Sequence, residues 1–527
     1  MCGIDLIVGA TINTIEQQQR TDFISRRGPD SYHTITTPSL LLTGSVLHLR
    51  GSTCVEQPVN IGDGCYFCWN GELYSDDDDQ DDSGSDTLIV AQLITNALNE
   101  SKIFNNKQQH QHLADALSTL QNAEYSMVLT TQDAIYYARD IFGRRSLLSF
   151  QDGTTFRLSS VGTSTDWIEV PPGKLFCFPL LPNYETVLTE RDIVLQAPLL
   201  CLVPTIPQPP RPPDCSETMW QASIHLEYLL KQAVERRLVC SCHPSDQPIG
   251  ILFSGGIDSV VLAAMVCASA NTKNRAVELY NISFGQKSKD RLAALASYEN
   301  LKELYPDTNL CLYCVDKTWD DIQSIEHRIQ VLLYPKASVM DMNIGCALWF
   351  AAGAGTSGGR ILLVGMGADE QLGGYTRHCV AAKKGTLRQE LEYDMNRLWE
   401  RNLGRDDRLL SDHGKEGRFP FLDCNVVHFL KQLPVEDICD FSLPPGQGDK
   451  RILRMVARRN GLVACSALVK RAIQFGSRIS HVSDAQRFGS RRQAKGEKRY
   501  DVGKKERDGG QRVTVHRDGT VVVHDSK

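Results

Sequence analysis

The sequence predicts two units of different fold class. Residues 2–195 read as an α+β unit and residues 216–480 as an α/β unit with a parallel sheet, with a linker over 196–215 and a basic tail over 481–527. Three observations lead there. The first unit consists of short apolar segments between turn signals, such as Leu40-Leu41-Leu42 before Thr43-Gly44, Ser126-Met127-Val128-Leu129 and Ala134-Ile135-Tyr136-Tyr137, with one helical stretch over Thr87–Asn99. Cys201–Asp214 then holds six prolines, including Pro209-Pro210-Arg211-Pro212-Pro213, the composition of an extended connector. Beyond Glu217, strand candidates Ile249–Phe253, Leu279–Phe284, Leu310–Val315 and Ile361–Val364 alternate with helical text, an order that makes a parallel sheet covered by helices. Trp220–Arg237 is the first of those helices, with Ile224, Leu226, Leu229, Leu230 and Val234 at helical spacing.

Composition narrows the function. The 527 residues carry a net charge of −6, with 42% hydrophobic and 23% charged side chains. That is a globular chain with a substantial core and no overall basic surface for nucleic acid or membrane. No apolar run reaches the roughly 20 residues of a membrane helix, and Met1-Cys2-Gly3-Ile4-Asp5 lacks the blocks of a secretion signal. Seventeen scattered cysteines, an odd number, suggest reduced thiols and a cytoplasmic location. Two C-x-x-C pairs, Cys65/Cys68 and Cys311/Cys314, fall in strand-like text and are not expected to bind zinc. Asp76–Asp82 reads as a solvated acidic loop. From Ser483 onward twelve basic residues face seven acidic ones with few apolar side chains, so the tail is expected to be disordered apart from a hairpin within Arg512–Asp525.

The most informative run is Ile249-Gly250-Ile251-Leu252-Phe253-Ser254-Gly255-Gly256-Ile257-Asp258-Ser259. It reads as a buried strand, a glycine turn and a helix start. Gly255 and Gly256 let backbone N–H groups approach a ligand, and the helix N-terminus favours an anion. Ser254 and Ser259 can donate to phosphate oxygens. Asp258 would repel a bare phosphate, so its presence points to Mg²⁺ between carboxylate and phosphate. No Gly-Lys-Ser/Thr follows, which excludes the common phosphate loop of NTPases. The pattern resembles the pyrophosphate loop, Ser-Gly-Gly-x-Asp-Ser, of the ATP-pyrophosphatase (adenylating) superfamily, with every fixed position matched.

A second chemical centre lies at the start of the chain. Removal of Met1 would leave Cys2 with a free α-amine, which titrates near neutrality and can take the thiol proton during nucleophilic attack. Cys2-Gly3-Ile4, Arg27-Gly28-Pro29-Asp30, Trp69-Asn70-Gly71-Glu72 and Arg139-Asp140-Ile141-Phe142-Gly143-Arg144-Arg145 occur in that order. Together they resemble the class II (N-terminal nucleophile) glutamine amidotransferases. The resemblance implies an oxyanion hole from the Asn70 side chain and the Gly71 N–H, with Arg50 holding the glutamine carboxylate and Asp86 its amine.

An ammonia-releasing half followed by an adenylating half resembles the glutamine-dependent asparagine synthetase family, from Cys2 to about Gly476. Gly365-Met366-Gly367-Ala368-Asp369-Glu370-Gln371-Leu372-Gly373-Gly374-Tyr375, Arg418-Phe419-Pro420-Phe421-Leu422-Asp423, Lys450–Leu453 and Lys470-Arg471-Ala472-Ile473-Gln474-Phe475-Gly476-Ser477 extend the likeness. It implies an N-terminal nucleophile amidotransferase fold followed by an adenine-nucleotide α-hydrolase-like fold. The implied substrates are glutamine, aspartate and ATP with Mg²⁺, and the implied products are asparagine, AMP and pyrophosphate. ATP would contact Leu252, Ser254, Gly255, Gly256, Asp258, Ser259, Phe284 and Gly365; Asp258 and Asp369 would hold the metal; Lys470, with Arg471 competing, would neutralise the α-phosphate. Met366 stands where the family has a glutamate, and a thioether cannot take a proton. That leaves two alternatives to an active asparagine synthetase: a degenerate one with a binding or regulatory role, or a ligase amidating another carboxylate. The text Ser338–Ala347, Ala368–Gln371 and Phe142–Leu148 departs from ordinary asparagine synthetases and resembles a divergent group within the family.

Overall fold

The computed structural model describes residues 2–9, 14–74, 84–102, 106–120, 122–153, 155–180, 189–193, 211, 215–238, 247–272, 274–285, 288–336, 338–355, 359–488, 512–515 and 521–524. The acidic run at 76–82, most of the proline-rich linker and the basic stretch at 489–511 lie outside the described residues.

The amino-terminal unit packs two antiparallel sheets face to face. Its strands are β1 Gly3–Val8, β2 Ser31–Thr36, β3 Leu40–Val46, β4 Val59–Asn60, β5 Tyr66–Leu73, β6 Ala123–Thr130, β7 Ala134–Arg139, β8 Leu148–Asp152, β9 Thr155–Ser159, β10 Ile168–Glu169, β11 Lys174–Pro179 and β12 Thr189–Asp192. They form the sheets β10-β8-β9-β1-β3-β2 and β12-β11-β7-β6-β5-β4. Alternation decides what each strand buries. Ile4, Leu6, Leu42 and Leu158 of one sheet meet Cys68, Val128, Ile135 and Tyr137 of the other. The opposite set, Phe67, Trp69, Tyr125 and Met127, packs on helices α2 (Asp86–Lys102) and α3 (Asn106–Ser118), introduced after α1 (Thr14–Arg27). Asn70, one residue on from Trp69, therefore points into the layer between the sheets, towards Cys2 at the head of β1.

The carboxyl-terminal unit begins with α4 (Glu217–Leu238) and contains a five-stranded parallel sheet in the order β15-β14-β13-β16-β17. These strands are β13 Ile249–Leu252, β14 Val277–Phe284, β15 Leu310–Lys317, β16 Ile361–Leu363 and β17 Glu416–Arg418. The four expected strands are present, and β17 is an addition. Helices α5 (Ile257–Ala268), α6 (Lys289–Leu304), α7 (Trp319–Leu333) and α8 (Val339–Ala352) cover the sheet. α5 is buried on every side through Val260, Val261, Leu262, Ala263, Ala264 and Val266, so it is the central helix of this core. Burying each Val or Leu there contributes about 1.5–3 kcal/mol. The chain order runs outward from β13 in both directions, which makes the carboxyl ends of β13 and β16 the topological switch point. Ser254 follows β13 and Gly365 follows β16.

The architecture expected from the sequence, an α+β unit followed by an α/β unit with a parallel sheet, is the one observed. The helix Ile479–Phe488 crosses the boundary expected at 480 and packs on α7, α8 and β14. Strands Arg512–Val515 and Val521–His524 pair antiparallel, at the place of the expected hairpin. Cys311 and Cys314 sit three apart on β15 and so face opposite sides of the sheet. Among the described residues no cluster of three or more His, Cys, Asp or Glu is arranged to hold a metal, and no helix is long and apolar enough to cross a membrane.

Candidate functional site

At the first centre Cys2 is 8% exposed and its backbone N–H donates to Asn70 Oδ1 at 2.9 Å. The Cys2 carbonyl accepts from Arg27 Nε at 3.2 Å. Gln57 lies beside the sulfur, with Nε2 3.8 Å from Sγ, and is fixed by the Trp69 N–H and the Thr87 hydroxyl. Burial pushes the Cys2 thiol pKa up, and the nearby carboxylates Glu416 and Glu72 push the same way. Asn70 Nδ2 donates to Ser126 Oγ at 3.4 Å, and Gly71 is packed so tightly on Tyr125 that a Cβ would clash.

Arg50 and Asp86 meet beside this centre. Arg50 Nη1 donates to Asp86 Oδ1 at 3.0 Å and to the Leu73 carbonyl at 2.8 Å. Asp86 Oδ2 accepts the Leu73 N–H at 3.0 Å. Burial raises the Asp86 carboxyl to about 6, against the lowering pull of Arg50 and that N–H. A guanidinium and a carboxylate so placed can be divided by a zwitterion, one charge to each.

The second centre surrounds a cavity of about 420 Å³ at the switch point. Leu252, Ser254, Asp258, Ser259, Gly365, Asp369 and Lys470 line it. The turn is built for close approach. Gly255 has φ +73°, and a Cβ there would run into the backbone of Ala293 and Ala294. Ser254 Oγ accepts the Gly256 N–H at 3.2 Å, and Ser259 Oγ donates to the Gly256 carbonyl at 3.0 Å. Phe284 is different: it is fully buried against Phe350, its N–H is spent on the Ser477 carbonyl, and Ile282 lines the cavity instead.

Asp258 and Asp369 converge on a lysine that sequence reasoning placed only within a similar segment. Lys450 Nζ sits 2.5 Å from Asp258 Oδ2 and 2.5 Å from Asp369 Oδ1, with its side chain fully buried. Lys470 is ion-paired to Asp369 as well. Burial alone would raise the Asp369 carboxyl, but the two ammonium groups outweigh it and hold that pKa well below the usual range. Lys450 caps the helix Arg451–Arg459 at φ +51°, and its N–H is held by the Leu372 carbonyl. Arg471 also lines the cavity, beside Asp290, whose carboxyl burial raises to about 7 against the pull of Arg471 and Lys470.

Met366 lines the same cavity and packs against the apolar cluster that contains Val364, Leu398 and Leu422. Its sulfur is 3.7 Å from Asn402 Nδ2. One turn on, Glu370 Oε1 accepts from the Tyr375 hydroxyl at 2.6 Å and from Asn402 Nδ2 at 3.3 Å. Burial, then the charge of Asp369, raises the Glu370 pKa. Tyr375 closes the Gly365–Tyr375 segment in which the sequence shows the family likeness, whereas Asn402, in the π-helical turn Trp399–Leu403, carried no signal in the sequence.

The two centres are joined by buried charge. Arg27, which holds the Cys2 carbonyl, also pairs with Asp407 at 2.7 Å. Arg145 donates to the Gly417 carbonyl at 2.7 Å and lies 3.3 Å from Glu124 and 3.5 Å from Glu416. Arg144 donates to the Leu422 carbonyl at 3.0 Å. The segment Glu416–Leu422 thus begins close to Cys2 and ends with Leu422 packed against Gly367 on the cavity wall. Ion pairs this deeply buried add little net stability over apolar packing, but breaking one is costly, so they fix how the units dock.

The chain is similar in sequence to known proteins over most of its length. The asparagine synthase family model matches residues 225–384 and 379–463. Asparagine synthetase domain-containing protein 1 of Bos taurus is 31% identical, over 91% of this chain and 96% of that protein. Asparagine synthetase domain-containing protein CG17486 of Drosophila melanogaster is 30% identical over 91% and 98%. The glutamine-hydrolyzing asparagine synthetase of Gallus gallus is 23% identical over 92% and 85%. A solved structure of the allosteric regulatory enzyme of purine biosynthesis aligns with a TM-score of 0.30 at 14% identity, over 60% of this chain and 80% of that one. With near end-to-end similarity at this level, the chain belongs to the asparagine synthetase family, in the group of asparagine synthetase domain-containing protein 1.

Proposed function

We propose that this protein is a glutamine-dependent amide ligase that transfers glutamine nitrogen to an ATP-activated carboxylate, with aspartate as acceptor and asparagine as product. The observation that carries this reading is the pair Asp258 and Asp369, held by Lys450 and Lys470 on the wall of a cavity at the Ser-Gly-Gly turn. In the first half-reaction the Cys2 thiolate attacks the glutamine amide carbon. Asn70 and Gly71 stabilise the oxyanion, ammonia leaves, and water releases glutamate from the thioester. With Met1 removed, the Cys2 α-amine is the base. Arg50 takes the glutamine carboxylate and Asp86 its ammonium group.

In the second half-reaction the acceptor carboxylate attacks the α-phosphorus of ATP and displaces pyrophosphate. Ammonia then attacks the acyl-adenylate, and AMP leaves. Ser254, Ser259 and the Gly255–Gly256 backbone bind phosphate; Leu252 and Gly365 contact the adenosine part. Lys470 and Lys450 counter the charge that builds on the phosphates. Asp258 and Asp369 fit Mg²⁺, an ion that takes one or two protein carboxylates and fills its other positions with water and phosphate oxygens; when bound, it shields the phosphate charge. Ammonia passes along the buried Glu416–Leu422 segment. Cytoplasmic location and small-molecule partners complete the reading.

Met366 favours a second reading, in which the synthetase half binds ATP but forms amide poorly. Pyrophosphate release with ATP, Mg²⁺, aspartate and either glutamine or ammonium separates the two. Release with both nitrogen sources supports the ligase; ATP binding without release supports the degenerate protein.

A further inference from the structure

Gln57 lies between β3 and β4 and is only 1% exposed, so its amide must be satisfied from within the protein. Three groups do so. Its Oε1 accepts the Trp69 N–H at 2.7 Å, and its Nε2 donates to Thr87 Oγ1 at 3.1 Å and towards Cys2 Sγ at 3.8 Å. The Trp69 N–H can meet only an oxygen, which fixes the other end of the amide as NH₂. An NH₂ carries two hydrogens, one for each remaining partner. Trp69 precedes Asn70 on β5, and Thr87 follows Asp86 on α2. One side chain thus ties the sulfur both to the strand that carries Asn70 and to the helix that begins at Asp86.

The surroundings of the sulfur work against a thiolate. Burial disfavours the charged form, and the carboxylates of Glu416 on β17 and Glu72 on β5 lie near it with the wrong sign. The Cys68 thiol, two residues before Asn70 on β5, sits in the same buried layer. Arg27 donates to the Cys2 carbonyl, Ser411 and Asp407 rather than to the sulfur. Opposing the burial are the terminal ammonium and the Leu47 N–H, which donates to the thiol. Gln57 adds a second fixed N–H. A neutral thiol accepts hydrogen bonds weakly, whereas a thiolate accepts them with charge assistance, so a donor held at Sγ favours the ionised form selectively.

We propose that Gln57 is a catalytic residue of the cysteine centre, a neutral donor that stabilises the Cys2 thiolate through Nε2–H···Sγ. It transfers no proton. The thiol proton goes to the α-amine, the sulfur attacks the glutamine amide carbon, and Gln57 holds its hydrogen bond until the C–S bond forms. Thr87 is a positioning residue: its hydroxyl takes the other amide hydrogen and keeps the amide from turning away from the sulfur. This role rests on the attack by Cys2 in the proposed function, but the ionisation of the thiol is measurable without turnover.

The test titrates Cys2 in the full-length protein with Met1 removed. Alkylation by iodoacetamide is followed from about pH 5 to 10 on the amino-terminal peptide by mass spectrometry, beside glutamate release from glutamine. Gln57→Glu keeps the acceptor for the Trp69 N–H and loses the donor. It should move the alkylation midpoint upward by at least about one pH unit and lower kcat for glutamate release at least about tenfold, the size of one charge-assisted hydrogen bond. The KM for glutamine should change little. Gln57→Met should shift both in the same direction by less, since it adds no charge. Thr87→Val should raise the midpoint by a smaller step and Thr87→Ser should restore it, and this pair decides where the Gln57 variants fail to fold. A midpoint unmoved in the variants, alkylation slowed equally at every pH, or an effect confined to the KM overturns the proposal. So does a shift in Gln57→Glu with Gln57→Met at the native midpoint, which is the effect of added charge alone. Should the native protein release no glutamate, the glutaminase reading fails on its own, and the alkylation midpoint still decides about Gln57.

Discussion

The two centres differ in how they hold themselves before substrate arrives. The cysteine centre is closed: Cys2, Asn70 and Asp86 are all buried, the Cys2 N–H is held by Asn70 on β5, and Asp86 at the start of α2 is held by the Leu73 N–H at the end of β5. The second centre is an open cavity whose charged groups, Asp258, Asp369, Lys450 and Lys470, come from separate segments of the carboxyl-terminal unit. The first can depend on sheet register for its precision. The second depends on mutual neutralisation, because two converging carboxylates would repel each other without the lysines between them. The difference teaches that damage to the first centre should remove one reaction cleanly, while damage to the second should also unsettle the fold around it.

Replacing Cys2 tests the first half of that contrast and has the largest expected effect. Cys2→Ala should lower glutamine-dependent glutamate release by at least about 10³-fold, with ammonium-dependent pyrophosphate release and the unfolding midpoint preserved. Normal glutamine use by the variant would remove Cys2 from the mechanism.

Lys450→Met tests the second half. It leaves Asp258 and Asp369 facing each other, 19% and 16% exposed, with Lys470 on one side only. Removing one partner of a buried pair costs about 3–5 kcal/mol. A lower denaturation midpoint in EDTA, largely recovered by Mg²⁺, is the expected result. Lys470→Met, at a side chain 27% exposed, should fold normally and still lose pyrophosphate release. The lysine pair also sets a pH limit. The depressed Asp369 carboxyl contributes stability above its unfolded pKa, near 4, and that stability is lost as pH falls through its lower folded value.

Legibility in the sequence follows the same division. The Ser-Gly-Gly turn, the strands β13 to β16 and the Asn70-Gly71 pair are local patterns, and each was readable from adjacent residues. β17 was not: Glu416-Gly417-Arg418 is three residues long and mostly charged, and only its pairing with β16 and with Arg145 makes it a buried strand. Lys450 stood out only as part of a similar segment, because its role depends on a left-handed backbone turn and on contacts 192 residues away. Phe284 failed the other way, since a large apolar residue at a strand end reads equally as cavity lining or as core. The helix Ile479–Phe488 carries a polar sequence, so the change in composition was placed at its start rather than its end.

A pH titration gives a smaller, graded contrast. In the proposed glutamine half-reaction binding needs Asp86 ionised, and burial raises its carboxyl to about 6. The KM for glutamine should therefore be flat above pH 7 and rise as pH drops below 6, by about tenfold per unit once Asp86 is mostly protonated. Asp86→Asn should raise the KM at all pH values and flatten the profile. A KM independent of pH between 5 and 8 would take the ammonium-binding role from Asp86.

The smallest expected change comes from Met366→Glu. The new carboxyl would sit one turn from Glu370, whose own pKa is already raised by burial and by Asp369, so like-charge repulsion raises the newcomer too. A carboxylate so tuned can accept a proton from ammonium near neutral pH, which methionine cannot. The gain is limited because the side chain leaves its packing against an apolar cluster, so amide formation should rise no more than about tenfold, well under the full worth of general-base catalysis. Adding Glu370→Gln separates two explanations for any basal activity. If the single Glu370→Gln variant already removes it, Glu370 has been acting as the base in the native protein, and the second centre is complete without a carboxylate at 366. If neither substitution moves the rate while ATP still binds, chemistry at this end is limited by the acceptor itself, and the contrast with the cysteine centre becomes one of substrate choice rather than of missing catalytic groups.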